Sequence, residues 1–403
     1  MAQIGVARDH IQERAAPGIA GAVSRMRAWA LGVLGLCVIS MSLGSTWDVK
    51  WHYAIGRDSF WIPPHIVLYA SVALAGLVCA AVVLYETWRS QVLEASIADD
   101  GAVRLLGLSA PLGVLIGGCG VALILLAAPF DDWWHRLYGV DVTIWSPPHM
   151  TGVIGGGLVA FGGLVAAAEQ RRRQNGHWAD AATLLFLMAL VSNANFALIP
   201  AVKLSFWPHA PSPAQDPLAP HPLIYPVLAS LLVTHPLVAA VRLFKGRWSW
   251  LAPLLVLAAL VGLHGLQTVT GRAGFALFVP WGDQTIVRPP IRAERALWDH
   301  PTLLALPTLA IVLVMGAGRR WRFWHAALLA GAICGLVLTL ETPPIFLARN
   351  PGDTIDPYTV AFGLALALPL GALSGLLGAA IGGWLGGSPQ SRSGARKERI
   401  NSA

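Results

Sequence analysis

Long unbroken apolar runs alternate with shorter polar, aromatic or basic stretches along the chain. The runs lie near residues 28–50, 64–88, 105–130, 147–169, 181–200, 222–243, 250–270, 301–318, 324–342 and 359–385. Each is close to the 20 or so residues that an α-helix needs to cross the hydrocarbon of a bilayer. Runs such as Ile66–Leu84 and Leu105–Pro129 are continuous and lack the strict in–out alternation of a barrel strand. The pattern predicts an all-α fold, a polytopic integral membrane helical bundle of about ten transmembrane helices in paired hairpins. Composition agrees. Of 403 residues, 55% are hydrophobic and 12% charged, about half the charged fraction of an average soluble domain. Such figures exclude a disordered chain, a coiled coil and an ordinary soluble enzyme.

The net charge of +7 changes the picture only through its placement. Connections after even-numbered runs carry Arg171-Arg172-Arg173, then Arg242, Lys245 and Arg247, then Arg319, Arg320 and Arg322, and finally the tail from Arg392 to Arg399. The stretch between Arg89 and Arg104 is weaker, because Glu94, Asp99 and Asp100 interrupt it. With the N-terminal segment, this side holds about two thirds of the 28 Lys and Arg residues. The basic side of a multi-pass protein is cytoplasmic. Both termini are then inside, and the long Pro-rich aromatic connections face outward, toward the periplasm if the membrane is a bacterial inner (cell) membrane. Lipid is the expected surrounding partner. Nucleic acid is not, since the basic clusters are short and no aromatic-interleaved basic domain exists. The expected organisation is a cytoplasmic tail over 1–27, a duplicated unit over 28–170, further transmembrane helices over 171–386 and a basic cytoplasmic tail over 387–403. The first apolar run follows a long polar segment and no convincing cleavage site follows it, so no cleavable signal is expected. Cys37, Cys79, Cys119 and Cys334 all fall within apolar runs without a CxxC pair, so they read as small core residues.

The outer side carries an internal repeat. Residues 48–65 read DVKWHYAIGRDSFWIPPH and residues 131–149 read DDWWHRLYGVDVTIWSPPH. Each copy has Asp, His four later, Gly four beyond, Asp two after the Gly, and a closing Pro-Pro-His at the start of the next run. Asp48 and His52 are one helical turn apart on one face, with Cβ atoms about 6 Å apart. The hairpin brings them beside His65, so two imidazoles and a carboxylate can converge. That donor set leaves room for water or substrate, as open metal sites do. Asp131, His135 and His149 repeat the set. The plainer alternative is a row of satisfied interfacial polar groups, with Trp47, Trp51, Trp61, Trp133, Trp134 and Trp145 forming an aromatic belt. Two copies at nearly equal spacing favour metal, because ionisable clusters at membrane depth are usually functional. Imidazole and carboxylate suit copper, zinc or iron, and affinity order favours copper. Arg57, Asp58 and Asp141 are candidates to orient the ligands from behind, or else form surface ion pairs.

These two motifs resemble the C-type subunit of the particulate methane and ammonia monooxygenases. The spacing of Asp48, His52 and His65 matches that family's intramembrane copper motif. The spacing of Asp131, His135 and His149 matches a second family triad, which has Asn where this chain has Asp131. The likeness covers about residues 45–160. It implies a copper-dependent oxidation of a small apolar substrate with O2, and partners of the A and B type. This chain is longer than a usual C-type subunit and has no cupredoxin domain.

Other polar residues carry weaker expectations. Asn193, Asn195, His264 and Gln267 lie inside apolar runs and suit hydrogen bonds between helices. His209 and His221 flank a Pro-rich loop, Asp299 and His300 precede the eighth run, and Glu341 ends the ninth; structural roles are expected for most of them. Heme is a second cofactor reading, since facing His residues can ligate iron axially, but it does not need the Asp one turn from each His. Covalent heme attachment and a P-loop are unsupported, as neither CxxCH nor GxxxxGK[ST] occurs. Three classes follow: a copper monooxygenase-like component, a metal-handling (binding, transport or chaperone) protein without turnover, and a scaffold.

Overall fold

The apolar runs become helices. The computed structural model describes residues 2–55, 61–92, 101–138, 144–173, 176–206, 223–244, 246–278, 302–349, 352 and 354–387. In chain order the helices are α1 (Ala2–Ala54), α2 (Pro63–Val92), α3 (Leu112–Tyr138), α4 (Pro147–Arg173), α5 (His177–Ala197), α6 (Ile199–Phe206), α7 (Ile224–Leu232), α8 (Thr234–Leu243), α9 (Ala252–Phe278), α10 (Ala305–Ala317), α11 (Phe323–Arg349) and α12 (Pro357–Gly386). Among the described residues nine helical stretches are long and apolar enough to cross a membrane. Their outward surfaces are apolar. Leu36, Leu77, Leu84, Leu126, Leu313 and Leu373 are all more than half exposed. In water such a surface would aggregate; in lipid it is the ordinary outside of a bundle.

Four elements differ from the apolar runs in extent or continuity. The segment expected as an N-terminal tail continues α1 back to Ala2. The third run does not start at residue 105, because Ala102–Leu105 (β1) and Leu108–Pro111 (β2) form an antiparallel hairpin ahead of α3. Its two-residue turn has positive φ at both Leu106 and Gly107, as a type I′ turn requires. Ser109 ties it to α2, since its backbone N–H donates to Thr87 Oγ1 at 2.9 Å. The eighth run gives an α10 of 13 residues that follows a turn at Leu304, with residues 302 and 303 already helical ahead of it. The sixth run is one apolar span in two helices, broken at Val233; Pro236 lies in the first turn of α8, where its missing N–H costs least.

Neighbouring helices alternate in direction from α1 through α5. Leu68 of α2 lies against Gly44 of α1, Gly117 of α3 against Cys79 of α2, Gly155 of α4 against Gly120 of α3, and Phe186 of α5 against Gly163 of α4. At the α3–α4 crossing a Cβ on Gly120 or Gly155 would strike the facing backbone, so both helices come as close as small residues allow. In contrast, α1 runs parallel to α5 and α9. Ser42 meets both Ser192 and Gln267, at 3.1 and 2.9 Å, and Trp51 stacks on Phe275. The main core joins residues of nearly every spanning helix. The ends of α1, α3 and α9 and the starts of α2 and α4 therefore share one end of the bundle.

Candidate metal centres

Both candidate sites sit at that shared end, each built by a helical hairpin. In the first, Asp48 and His52 occupy successive turns near the end of α1. Pro63, Pro64 and His65 are the first three residues of α2. Proline is at home there, since the first N–H groups of a helix have no internal partner. It fixes how α2 begins and so where His65 lies. In the second, Asp131 and His135 lie near the end of α3, and Pro147, Pro148 and His149 open α4.

The donor atoms converge. Asp48 Oδ1 lies 3.2 Å from His52 Nε2 and 3.1 Å from His65 Nε2. Asp131 Oδ1 lies 3.1 Å from His135 Nε2 and 3.3 Å from His149 Nε2. Within each triad the three donor atoms are all within 4.8 Å of one another. Donors around an ion at 2.0–2.2 Å stand about 3.3–3.6 Å apart in tetrahedral geometry, so the spacing fits a divalent ion with positions to spare. Hydrogen-bond geometry points the same way. Asp48 Oδ1 is buried yet accepts no hydrogen bond of acceptable angle, although two ring nitrogens are near it. The two His rings stand 5.9 Å apart in the first triad and 6.2 Å in the second. Two triads of His and Asp able to bind a metal ion are thus present, and the six residues singled out from the repeat are the six that come together.

The surroundings are less even. Tyr69, one turn along α2, meets the His65 ring edge-on at 5.9 Å. The supposed aromatic belt divides. Trp47 and Trp51 are buried, Trp61 and Trp133 are exposed, and Trp145 donates its indole N–H to the Ala197 carbonyl at 2.9 Å. Arg57, Asp58 and Asp141 lie outside the described residues, as do His209, His221, Asp299 and His300. Asn193 and Gln267 do join helices, donating to the Val153 carbonyl and to Ser42 Oγ. Three cysteines are buried, but Cys119 is exposed on the outer face.

Sequence reasoning passed over Lys50. Only 2% exposed, it points across α1 away from the triad and donates to the Gln267 carbonyl of α9 at 3.4 Å. Gly271 and Gly274 on α9 make room for Lys50 and Trp47. The signal was legible as a Gly-x-x-Gly pair in an apolar run; what it faced was not.

No family model matches this chain, and no curated protein or solved structure does either. The class defined by fold and site is therefore a multi-pass helical membrane protein with two candidate metal-binding triads.

Proposed function

We propose that the chain is a membrane metalloprotein whose triads hold copper, and that it works as a divergent relative of the C-type subunit of copper membrane monooxygenases. One observation carries the reading: two hairpins bring the same three donor types to the same spacing at one end of the bundle. His52, His65 and Asp48 would hold one ion, and His135, His149 and Asp131 the other, both toward the periplasmic side by the distribution of basic residues. Bound copper supplies one-electron redox chemistry toward O2. The reaction would insert one oxygen atom into a C–H or N–H bond, with the other leaving as water; two electrons and two protons come from an external, lipid-soluble donor. The chain's own residues orient the imidazoles, restrict water and present an apolar, lipid-reached surface to a small apolar substrate. A- and B-type partner subunits belong to this reading.

Metal handling without turnover is the competing reading, and one feature weighs against transport. Below Ser42 the buried face of α1 runs through Met41, Val38, Cys37, Leu34 and Leu31, with no carboxylate, imidazole or hydroxyl to continue the donor set of the triads.

Metal analysis of the purified protein tests the site. Wild type should carry copper that a His52→Ala/His135→Ala variant lacks; equal copper and zinc in the two would end the metal reading. Oxygen-dependent consumption of ammonia or a short alkane by membranes containing the protein then separates enzyme from metal carrier.

A further inference from the structure

The two triads look alike in sequence, but the bundle supports them differently. Helix α1 packs on α2, α4, α5 and α9, whereas α3 packs on α2 and α4 at the edge. The last turns of α1 are clamped onto α9. Trp51 lies flat on Phe275, with centroids 5.8 Å apart and planes 15° apart. Trp47 lies against Phe278 at 5.8 Å and over Gly274, where a Cβ would collide with the indole. Ile62, at the start of the α2 limb, is 2% exposed in the same cluster. The carboxylate and one imidazole of the first triad thus project from a helix end held on the adjoining face.

The repeat places Phe130 and Trp134 where the first copy has Trp47 and Trp51. Ring contacts on α3 join Phe130 to Trp133 and Trp134, and Trp134 to Tyr138. Trp133, Leu137 and Tyr138 are more than half exposed. Pro129 stands inside α3, two residues before Asp131. It removes one hydrogen bond of the helix ladder and loosens the turn that carries the ligands. Within the second triad coverage is split, with His149 36% exposed against 12% for its counterpart His65, and His135 8% against 21% for His52, so any opening is on the α4 limb.

Donors already fixed in place pay less ordering entropy when an ion arrives. We propose that the sites are unequal. The Asp48 triad is the tightly held, resident metal site, made so by Phe275 and Gly274 of α9 as positioning residues. The Asp131 triad is the open site, where metal exchanges and a ligand from outside reaches it. This rests on the metal reading above and adds the division of labour between the two sites.

The test uses the full chain in detergent, with copper(II) titrated against a competing chelator and followed by electron paramagnetic resonance. Wild type should bind two equivalents, one of which survives chelator dialysis. His52→Ala should lose the retained equivalent, and His135→Ala should keep it. Phe275→Ala in the His135→Ala background should weaken the remaining site about ten-fold and change its copper hyperfine pattern, with Phe275→Tyr restoring both. The same Phe275→Ala change in the His52→Ala background should leave the remaining site as it was, which also reports an intact fold. Equal affinities in the two single-His variants, or equal weakening of both sites by Phe275→Ala, would overturn the inequality while leaving the metal reading standing. No copper in wild type would overturn both.

Discussion

Asp48 and Asp131 each approach two imidazole nitrogens within 3.3 Å, and this contact decides what a substitution does. Asn in place of Asp48 keeps the shape and removes the charge that a cation needs. Asp48→Asn is expected to lower copper affinity of the first triad by about 10–100-fold, the size seen when a partner of a metal site is lost, read by chelator competition with His135→Ala as background. At the opposite end of the bundle the charges work for stability. Glu86 is fully buried between Arg27 and Arg89, at 2.6 and 2.9 Å. Such a group costs solvation to bury, and removing one partner strands the others. Glu86→Leu should therefore destabilise the protein by about 3–5 kcal/mol, measured as loss of folded protein on heating in detergent, with no change in metal stoichiometry of the folded fraction. The six donors were legible residue by residue, because an i, i+4 pair and a Pro-Pro-His start are local patterns. Lys50 and Phe275 were not, since their importance lies in contacts more than 200 positions away in sequence.

At the scale of elements, helix existence followed from apolar run length, while the ends and breaks followed from local backbone chemistry. The hairpin before α3 is the clearest case. Its apolar residues extended the third run, yet the positive φ at Leu106 and Gly107 turns the chain back before the helix begins. Pro129 is a break within an element. Pro129→Ala restores a backbone donor and should slow amide hydrogen exchange around residues 125–133. It should also tighten copper at the Asp131 triad if helix pliancy sets that site's affinity. The α1–α9 contact has no slack of this kind. Gly274→Leu puts a branched side chain where the Trp47 indole lies, and overpacking of this sort costs about 1–3 kcal/mol. The expected outcome is a lower unfolding temperature together with weaker copper binding at the first triad.

At the scale of the whole molecule, parallel and antiparallel neighbours combine so that both triads come to one end. The other end gathers the chain's beginning and finish. Arg172, closing α4, reaches the Gly387 carbonyl at 3.5 Å, and Trp384 stacks on Phe161. The start of the first span and the end of α12 are thus at the same end of the bundle. Reporter fusions after residue 387 and ahead of residue 21 should report one and the same compartment, opposite to that of a reporter inserted between α3 and α4. Opposite signals from the two terminal fusions would break the bundle described above.

The sequence by itself determined that this chain lives in lipid, that it is helical, and which six residues could share ions in two sets of three. Hydrophobic run length and helical periodicity are local quantities, and a tight hairpin turns local spacing into proximity. Only the tertiary structure decided that α9 lies beside α1, that α1 is packed on four helices while α3 stands at the edge, and that the sixth and eighth runs are each broken by a turn. Lipid faces and buried faces are equally apolar in a membrane protein, so helix partners are chosen by shape, by small residues and by aromatic stacking between segments far apart in the chain.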